Sequence, residues 1–304
     1  ASIVPPTLGA KFDFILGGFP KTGTSTLWQN LGLVSRVNMY GTEPEDWHEI
    51  TRWRRELFKL STTDNDAKLL GFKVTKFMYD RRWAMAALEL NPSTKFVLSL
   101  RKPSMWLRSF VKYRQSEIAG AFLPKAGNEG KWARTAVEAE PSLRNATFAD
   151  VAISGIDLLG AHRDRGHFHL FLGPILQLFG EHALPSAKER VFVVMLEQMA
   201  AEPFETHNKI AQFLGIGPSE LPLELQIANR NNPRSPPGGP LFPNGVRSPH
   251  DVVENGSEWC DEHGICQWFS DEAVLIALDE FYATSTAELN YILKKALGYE
   301  NKWW

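Results

Sequence analysis

Apolar positions along this chain fall into two rhythms, short continuous runs and runs at helical spacing, and their alternation predicts the fold. Phe14, Ile15 and Leu16 form a short, near-continuous apolar run, the pattern of a strand covered on both faces. Gly17, Gly18 and Gly23 then supply a turn, and Leu27, Leu31 and Val34 recur at helical spacing, which predicts a helix over residues 24–34 capped by Thr24, Ser25 or Thr26. From about Asp46, the positions Trp47, Ile50, Trp53, Leu57 and Leu60 read as one side of an amphipathic helix, with its apolar members in the core. A polar loop, STTDNDAK, leads into a short strand over 69–74 that delivers Lys73 to its end. Residues 82–90 are helical in composition and Asn91-Pro92 stops them, and KFVLSL at 95–100 is the clearest strand after the first.

Further along, residues 114–145 mix glycines with few apolar runs and read as a lid or a helical insertion. Helices are expected over 148–159 and 168–179, a third core strand over 190–196, and a helix over 202–214 that ends at Gly215. Prolines and glycines dominate 229–249, and 271–297 is a helical tail too small to fold alone. Strands alternating with helices at this separation predict an α/β fold, a central parallel sheet flanked by helices. No internal repeat occurs, and the whole chain, 1–304, reads as a single domain.

Composition narrows the function classes only a little. At 304 residues, with 43% hydrophobic and 22% charged positions, the chain has the make-up of an ordinary globular protein with a substantial core. Its 33 basic and 35 acidic side chains leave a net charge of −2, which provides no overall field for nucleic acid. No apolar run reaches the roughly 18 residues of a membrane span. The N-terminal ASIVPPTLG is neither a signal peptide nor a charged targeting helix, and a membrane anchor outside this sequence stays compatible with it. Cys260 and Cys266 either close a small disulfide loop or remain two thiols in a surface turn. Asn145-Ala-Thr147 and Asn255-Gly-Ser257 match the N-glycosylation acceptor pattern, and with a disulfide they lean towards a secretory compartment; a cytoplasmic location is the alternative.

The chemistry concentrates in FDFILGGFPKTGTSTL. Amide N–H groups at a helix start, the positive end of the helix dipole and the Lys21 ammonium converge on one point, which suits an anion. The spacing is not that of a nucleoside-triphosphate loop, where Lys directly follows the last Gly; here Lys21 stands two residues before Gly23. This order resembles the 5′-phosphosulfate loop of sulfotransferases that use 3′-phosphoadenosine-5′-phosphosulfate (PAPS). Arg101-Lys-Pro103-Ser-Met-Trp106-Leu-Arg108-Ser109 resembles the 3′-phosphate motif of the same family, with Arg101, Pro103 and Ser109 at the matching offsets. A guanidinium gives a bidentate clamp on a phosphate and a hydroxyl a further donor. Many relatives carry Arg where this chain has Trp106; Arg108 either compensates or faces solvent. VFVVMLEQMAAEPFETHNKIAQFLGI and EFYATSTAELNYIL also resemble the family, with Glu197 read as structural.

The resemblance, closest in pattern to the carbohydrate sulfotransferases of the heparan type, implies a P-loop-like sulfotransferase fold and a Golgi setting. It implies transfer of a sulfuryl group from PAPS to an acceptor hydroxyl or amine, on a glycan or a small molecule, leaving adenosine 3′,5′-bisphosphate. Lys21, Thr22, Gly23, Thr24, Ser25, Thr26, Arg101 and Ser109 are then the co-substrate site. Lys21 and Lys73 are the cations at the transferring group, and Glu43 or His48 is the base, with Glu43 preferred. No metal is required. Two other classes stay open: a P-loop kinase of a small metabolite, and a nucleotide- or glycan-binding relative without catalysis.

Overall fold

A computed structural model of the chain describes residues 12–39, 68–79, 81–122, 128–181, 186–217, 225, 256–260 and 266–300. These residues gather into two compact units that alternate along the sequence. The first runs up to Arg101, resumes at His169 and takes in the chain from Asn290; the second comprises Lys102–Phe168 and the stretch that closes at Leu289.

The first unit is built on a parallel sheet. Strand β1, Phe14–Gly18, is buried at all five positions and pairs with a strand on each side. It extends two residues further than the apolar run alone predicts: Gly17 pairs with Leu98 and Gly18 with Ser99, so the turn begins only at Phe19. Helix α1, Thr24–Gly32, follows and leads to β2, Val37–Met39, a three-residue edge strand too short for any period to announce it. Strand β3, Leu69–Val74, and a 3-10 turn, Thr75–Tyr79, precede helix α2, Arg82–Leu90. Asn91 then ends α2 and braces the approach to β4, Lys95–Leu100, since its side chain donates to the Phe12 carbonyl and accepts from the Ser93 N–H.

The first unit resumes with α5, His169–Glu181, a four-residue helical turn α6, Ala187–Arg190, and strand β5, Val191–Met195. Helices α7, Leu196–Ala201, and α8, Pro203–Leu214, complete it, with Pro203 at a helix start where its missing N–H costs nothing. The five strands lie in the order β2-β3-β1-β4-β5, and every pairing is parallel. Leu16, Leu27, Leu31, Val97, Val194, Ile210 and Leu214 meet in one core cluster on one face of this sheet. Each such side chain contributes about 1.5–3 kcal/mol through burial. At the β5 edge, Tyr299 Oη accepts the Val193 N–H at 3.0 Å and lies 3.3 Å from the Val193 carbonyl, which blunts an otherwise open strand.

The second unit is helical and corrects two expectations. Helix α3 runs Pro103–Ala121 and helix α4 Asn128–Ala139, so most of the stretch that looked irregular from residue 114 is helix. Its apolar side is Trp106, Phe110, Val111, Ile118 and Ala133, spread too widely among polar residues for the period to stand out. Conversely, the helix expected over 148–159 stops early. Thr147 and Asp150 cap it by mutual hydrogen bonds, a π-helical turn covers Asp150–Ser154, and Gly155 ends it in the left-handed region at φ 73. The second unit also holds an antiparallel hairpin that the sequence did not predict, β6, Gly256–Cys260, and β7, Cys266–Ser270, in which Cys260 and Cys266 are register partners. Helix α9, Asp271–Leu297, has the bounds expected of the closing helix, with Asp271 and Glu272 in its first turn and Lys294 and Lys295 in its last, which suits the helix dipole. Among the described residues no helix is long and apolar enough to cross a membrane. The expected helix after Asp46, with Glu43 and His48, and the proline-rich stretch 229–249 lie outside the described residues.

Candidate anion-binding site

Chain order and sheet order together create a crevice. The chain leaves β1 towards β2 and β3 on one side, while β4 and β5 lie on the other, so the connections diverge between β1 and β4. Ligands of open parallel sheets bind outside the carboxyl ends of the strands at such a point. Phe19–Gly23 leaves the carboxyl end of β1 there, and Arg101 leaves that of β4.

The loop itself is tightly formed. Thr22 donates through its N–H at 3.3 Å and its hydroxyl at 2.7 Å to the Phe19 carbonyl, which closes the turn. Lys21 has a left-handed backbone, φ 68, and Gly23 another, φ 92. A Cβ at Gly23 would lie 2.6 Å from Leu196 Cδ1, and one at Gly18 would lie 2.7 Å from the Ser99 carbonyl oxygen, so glycine is required at both. Gly23 is also the N-cap of α1, with no side-chain cap, which corrects the expectation that Thr24, Ser25 or Thr26 caps the helix. Among the described residues no acceptor meets the N–H groups of Gly23, Thr24 or Ser25, which leaves them available to an anion.

The two strands beside β1 bring groups to this loop. From β4, the Ser99 hydroxyl donates to the Thr22 carbonyl, and Arg101 Nη1 lies 3.4 Å from the Lys21 carbonyl across 80 residues of sequence. From β3, Lys73 Nζ donates to Ser25 Oγ at 3.0 Å and stands 5.9 Å from the centre of the Trp28 ring. Lys21, Ser25, Lys73 and Arg101 are therefore drawn together, and Thr26 is half-buried on the first turn of α1. Thr22 and Thr24 are buried, and the Thr22 hydroxyl serves the turn. Ser109 lies in the second unit, half-buried on α3.

Trp106 is fully buried, with Phe110 and Phe168 around it at 5.6 and 5.4 Å between ring centroids. Arg108 pairs with Asp271: its Nε and Nη2 lie 3.0 and 2.9 Å from Asp271 Oδ2. Sequence reasoning missed Ser99 and Trp28. A polar residue inside the apolar run KFVLSL was the available signal for the first; Trp28 carried none. Groups with displaced titration lie elsewhere. Burial raises the Asp13 carboxyl and lowers the Lys95 ammonium, both at the amino end of the sheet. Burial also lowers His207, which packs against α1.

No protein-family model matches the chain, and no curated protein matches its sequence. Among solved structures, a sulfotransferase from Alicyclobacillus acidocaldarius is similar over 96% of this chain and 98% of that one, at 13% identity and a TM-score of 0.54. Sulfotransferase STF9 from Mycobacterium avium covers 69% of this chain and 66% of its own, at 9% identity and a TM-score of 0.44. Mouse sulfotransferase SULT7A1, complexed with PAP, covers 69% and 61%, at 16% identity and a TM-score of 0.41. At the level of fold, this chain is similar to the Alicyclobacillus sulfotransferase almost from end to end.

Proposed function

We propose that this protein transfers a sulfuryl group from PAPS to an acceptor hydroxyl or amine. The observation that carries the reading is the meeting of the Lys21 loop with Arg101 at the carboxyl ends of β1 and β4, on a sulfotransferase-like fold. PAPS has an anionic group on each side of its ribose, and this reading gives one to the loop and the other to Arg101. Lys21, the first amides of α1 and the hydroxyls of Ser25 and Thr26 take the 5′-phosphosulfate. Arg101, whose guanidinium has five N–H donors, takes the 3′-phosphate. Ser109 joins it in this reading on its offset in sequence from Arg101.

In the displacement, the bond from sulfur to the bridging phosphate oxygen breaks as the acceptor oxygen or nitrogen bonds to sulfur in line. Adenosine 3′,5′-bisphosphate leaves, and the acceptor proton passes to Glu43, or to His48 as the second candidate. Lys21 and Lys73 stabilise charge on the bridging and equatorial oxygens. No metal enters this step. The acceptor class is a glycan or a small alcohol, and the chain acts as one sulfotransferase domain.

Titration calorimetry tests the reading directly. Adenosine 3′,5′-bisphosphate is expected to bind, and Lys21→Ala and Arg101→Ala each to weaken it by about ten-fold or more. Binding of ATP with no heat from the bisphosphate overturns the proposal. Glu43→Gln and His48→Ala, assayed for turnover with labelled PAPS at unchanged nucleotide affinity, identify the base. A secretory, Golgi-type location is proposed with it, since Asn145 is exposed and Cys260 stands opposite Cys266. Glycosidase-sensitive mass and thiol blocking of protein secreted from eukaryotic cells would support it; an unmodified mass with two free thiols argues for the cytoplasm.

A further inference from the structure

We infer that Ser99 is a positioning residue for the anion loop, aiming the Gly23 amide at the 5′ end of the nucleotide; this rests on the sulfotransferase reading above. Ser99 interrupts the apolar run of β4 and is fully buried. A hydroxyl in that setting is costly unless bonded, and it is bonded to one place, the Thr22 carbonyl, 77 residues earlier in the chain.

The consequence follows from the planarity of the peptide. The described backbone has no cis bonds, so the Thr22 carbonyl and the Gly23 N–H of the same peptide point in opposite directions. Holding that carbonyl against β4 turns the Gly23 N–H away from β4, at the N-cap of α1, where no described acceptor meets it. Arg101 holds the preceding carbonyl, that of Lys21, by a longer contact of 3.4 Å, so β4 grips two successive peptides of the loop. The Ser99 carbonyl closes the same region from behind, where Gly18 passes too near for any side chain. A hydroxyl needed only to fill the core has no reason to select this peptide, whose rotation would swing a carbonyl towards the anion.

The test compares wild type with Ser99→Ala and with Ser99→Cys, which keeps the shape but donates weakly. Three probes are titrated by calorimetry: adenosine 3′,5′-bisphosphate, adenosine 5′-monophosphate and adenosine 3′-monophosphate. Both variants are expected to lose about ten-fold in affinity for the two probes with a 5′-phosphate, and none for the 3′-monophosphate. Equal affinity in all proteins overturns the inference, and so does a uniform loss across the three probes, which marks a general folding defect. In parallel, the Gly23 amide resonance is followed during titration with inorganic pyrophosphate, with a downfield shift expected in wild type and a smaller one in both variants. Absence of bisphosphate binding to wild type sinks the sulfotransferase reading alone. The pyrophosphate titration still judges Ser99, because an equal shift in wild type and Ser99→Ala, or none in wild type, overturns its role.

Discussion

Lys21 adopts a left-handed backbone, φ 68, that side-chain-bearing residues avoid at a cost of about 1–2 kcal/mol, and such conformations persist where surrounding contacts over-determine them. Here the Phe19 turn, Ser99 and Arg101 supply those contacts. Gly23 is the tighter constraint, since a methyl group there meets both a positive φ and Leu196. Gly23→Ala is expected to destabilise the fold by about 1–3 kcal/mol in urea denaturation and to weaken nucleotide binding as the loop shifts. Lys73 is brought to the loop by its bond to Ser25 Oγ. On the proposed function its charge acts on the transferring group, so Lys73→Ala is expected to lower turnover about 100-fold while bisphosphate affinity falls far less. Similar losses in both measurements would make Lys73 a binding residue.

At the scale of elements, α1 is held to α8 by a polar contact inside an apolar interface. Asn30 Nδ2 lies 3.1 Å from His207 Nε2, and His207 Nδ1 lies 2.7 Å from the Pro203 carbonyl. The pattern fits a neutral imidazole that donates through Nδ1 and accepts through Nε2. Burial lowers the pKa of His207 below its ordinary 6.5, so the unfolded chain takes up the proton first as pH falls. Stability from this group is therefore present above about pH 6.5 and is lost as pH drops from there towards the folded-state value. Denaturation at pH 7.5 and 5.5 checks this: wild type is expected to weaken by up to about 1.4 kcal/mol per pH unit within that window, and His207→Asn to lack this component. Arg108 and Asp271 play a comparable part between α3 and α9, and Asp271→Ala, which strands a half-buried guanidinium, is expected to cost about 2 kcal/mol or more. Long or sharply bounded elements were readable in the sequence, as α9 and α8 were. Strand β2 and the hairpin were not, because three to five residues at a sheet edge carry too little pattern.

For the molecule as a whole, the proposed function has nucleotide binding stabilise the folded state, since the residues of the proposed site come together only there. With free adenosine 3′,5′-bisphosphate at 100 times its Kd, the gain is about 2.7 kcal/mol, on the order of a 5 °C rise in Tm. A thermal scan should show that rise in wild type and lose most of it in Arg101→Ala; no rise under saturating ligand would contradict a preformed site. The sequence by itself determined the α/β class, the main strands and helices along the chain, and the glycine turn that follows β1. All of these are local, because runs of apolar residues and glycine turns are written in neighbouring positions. Only the tertiary structure decided that β1 is central, that Lys73 meets Ser25, that Arg108 belongs to Asp271, and that Ser99 holds the loop. Those contacts join residues 48 to 163 positions apart, and they depend on strand order and register, which no local pattern encodes.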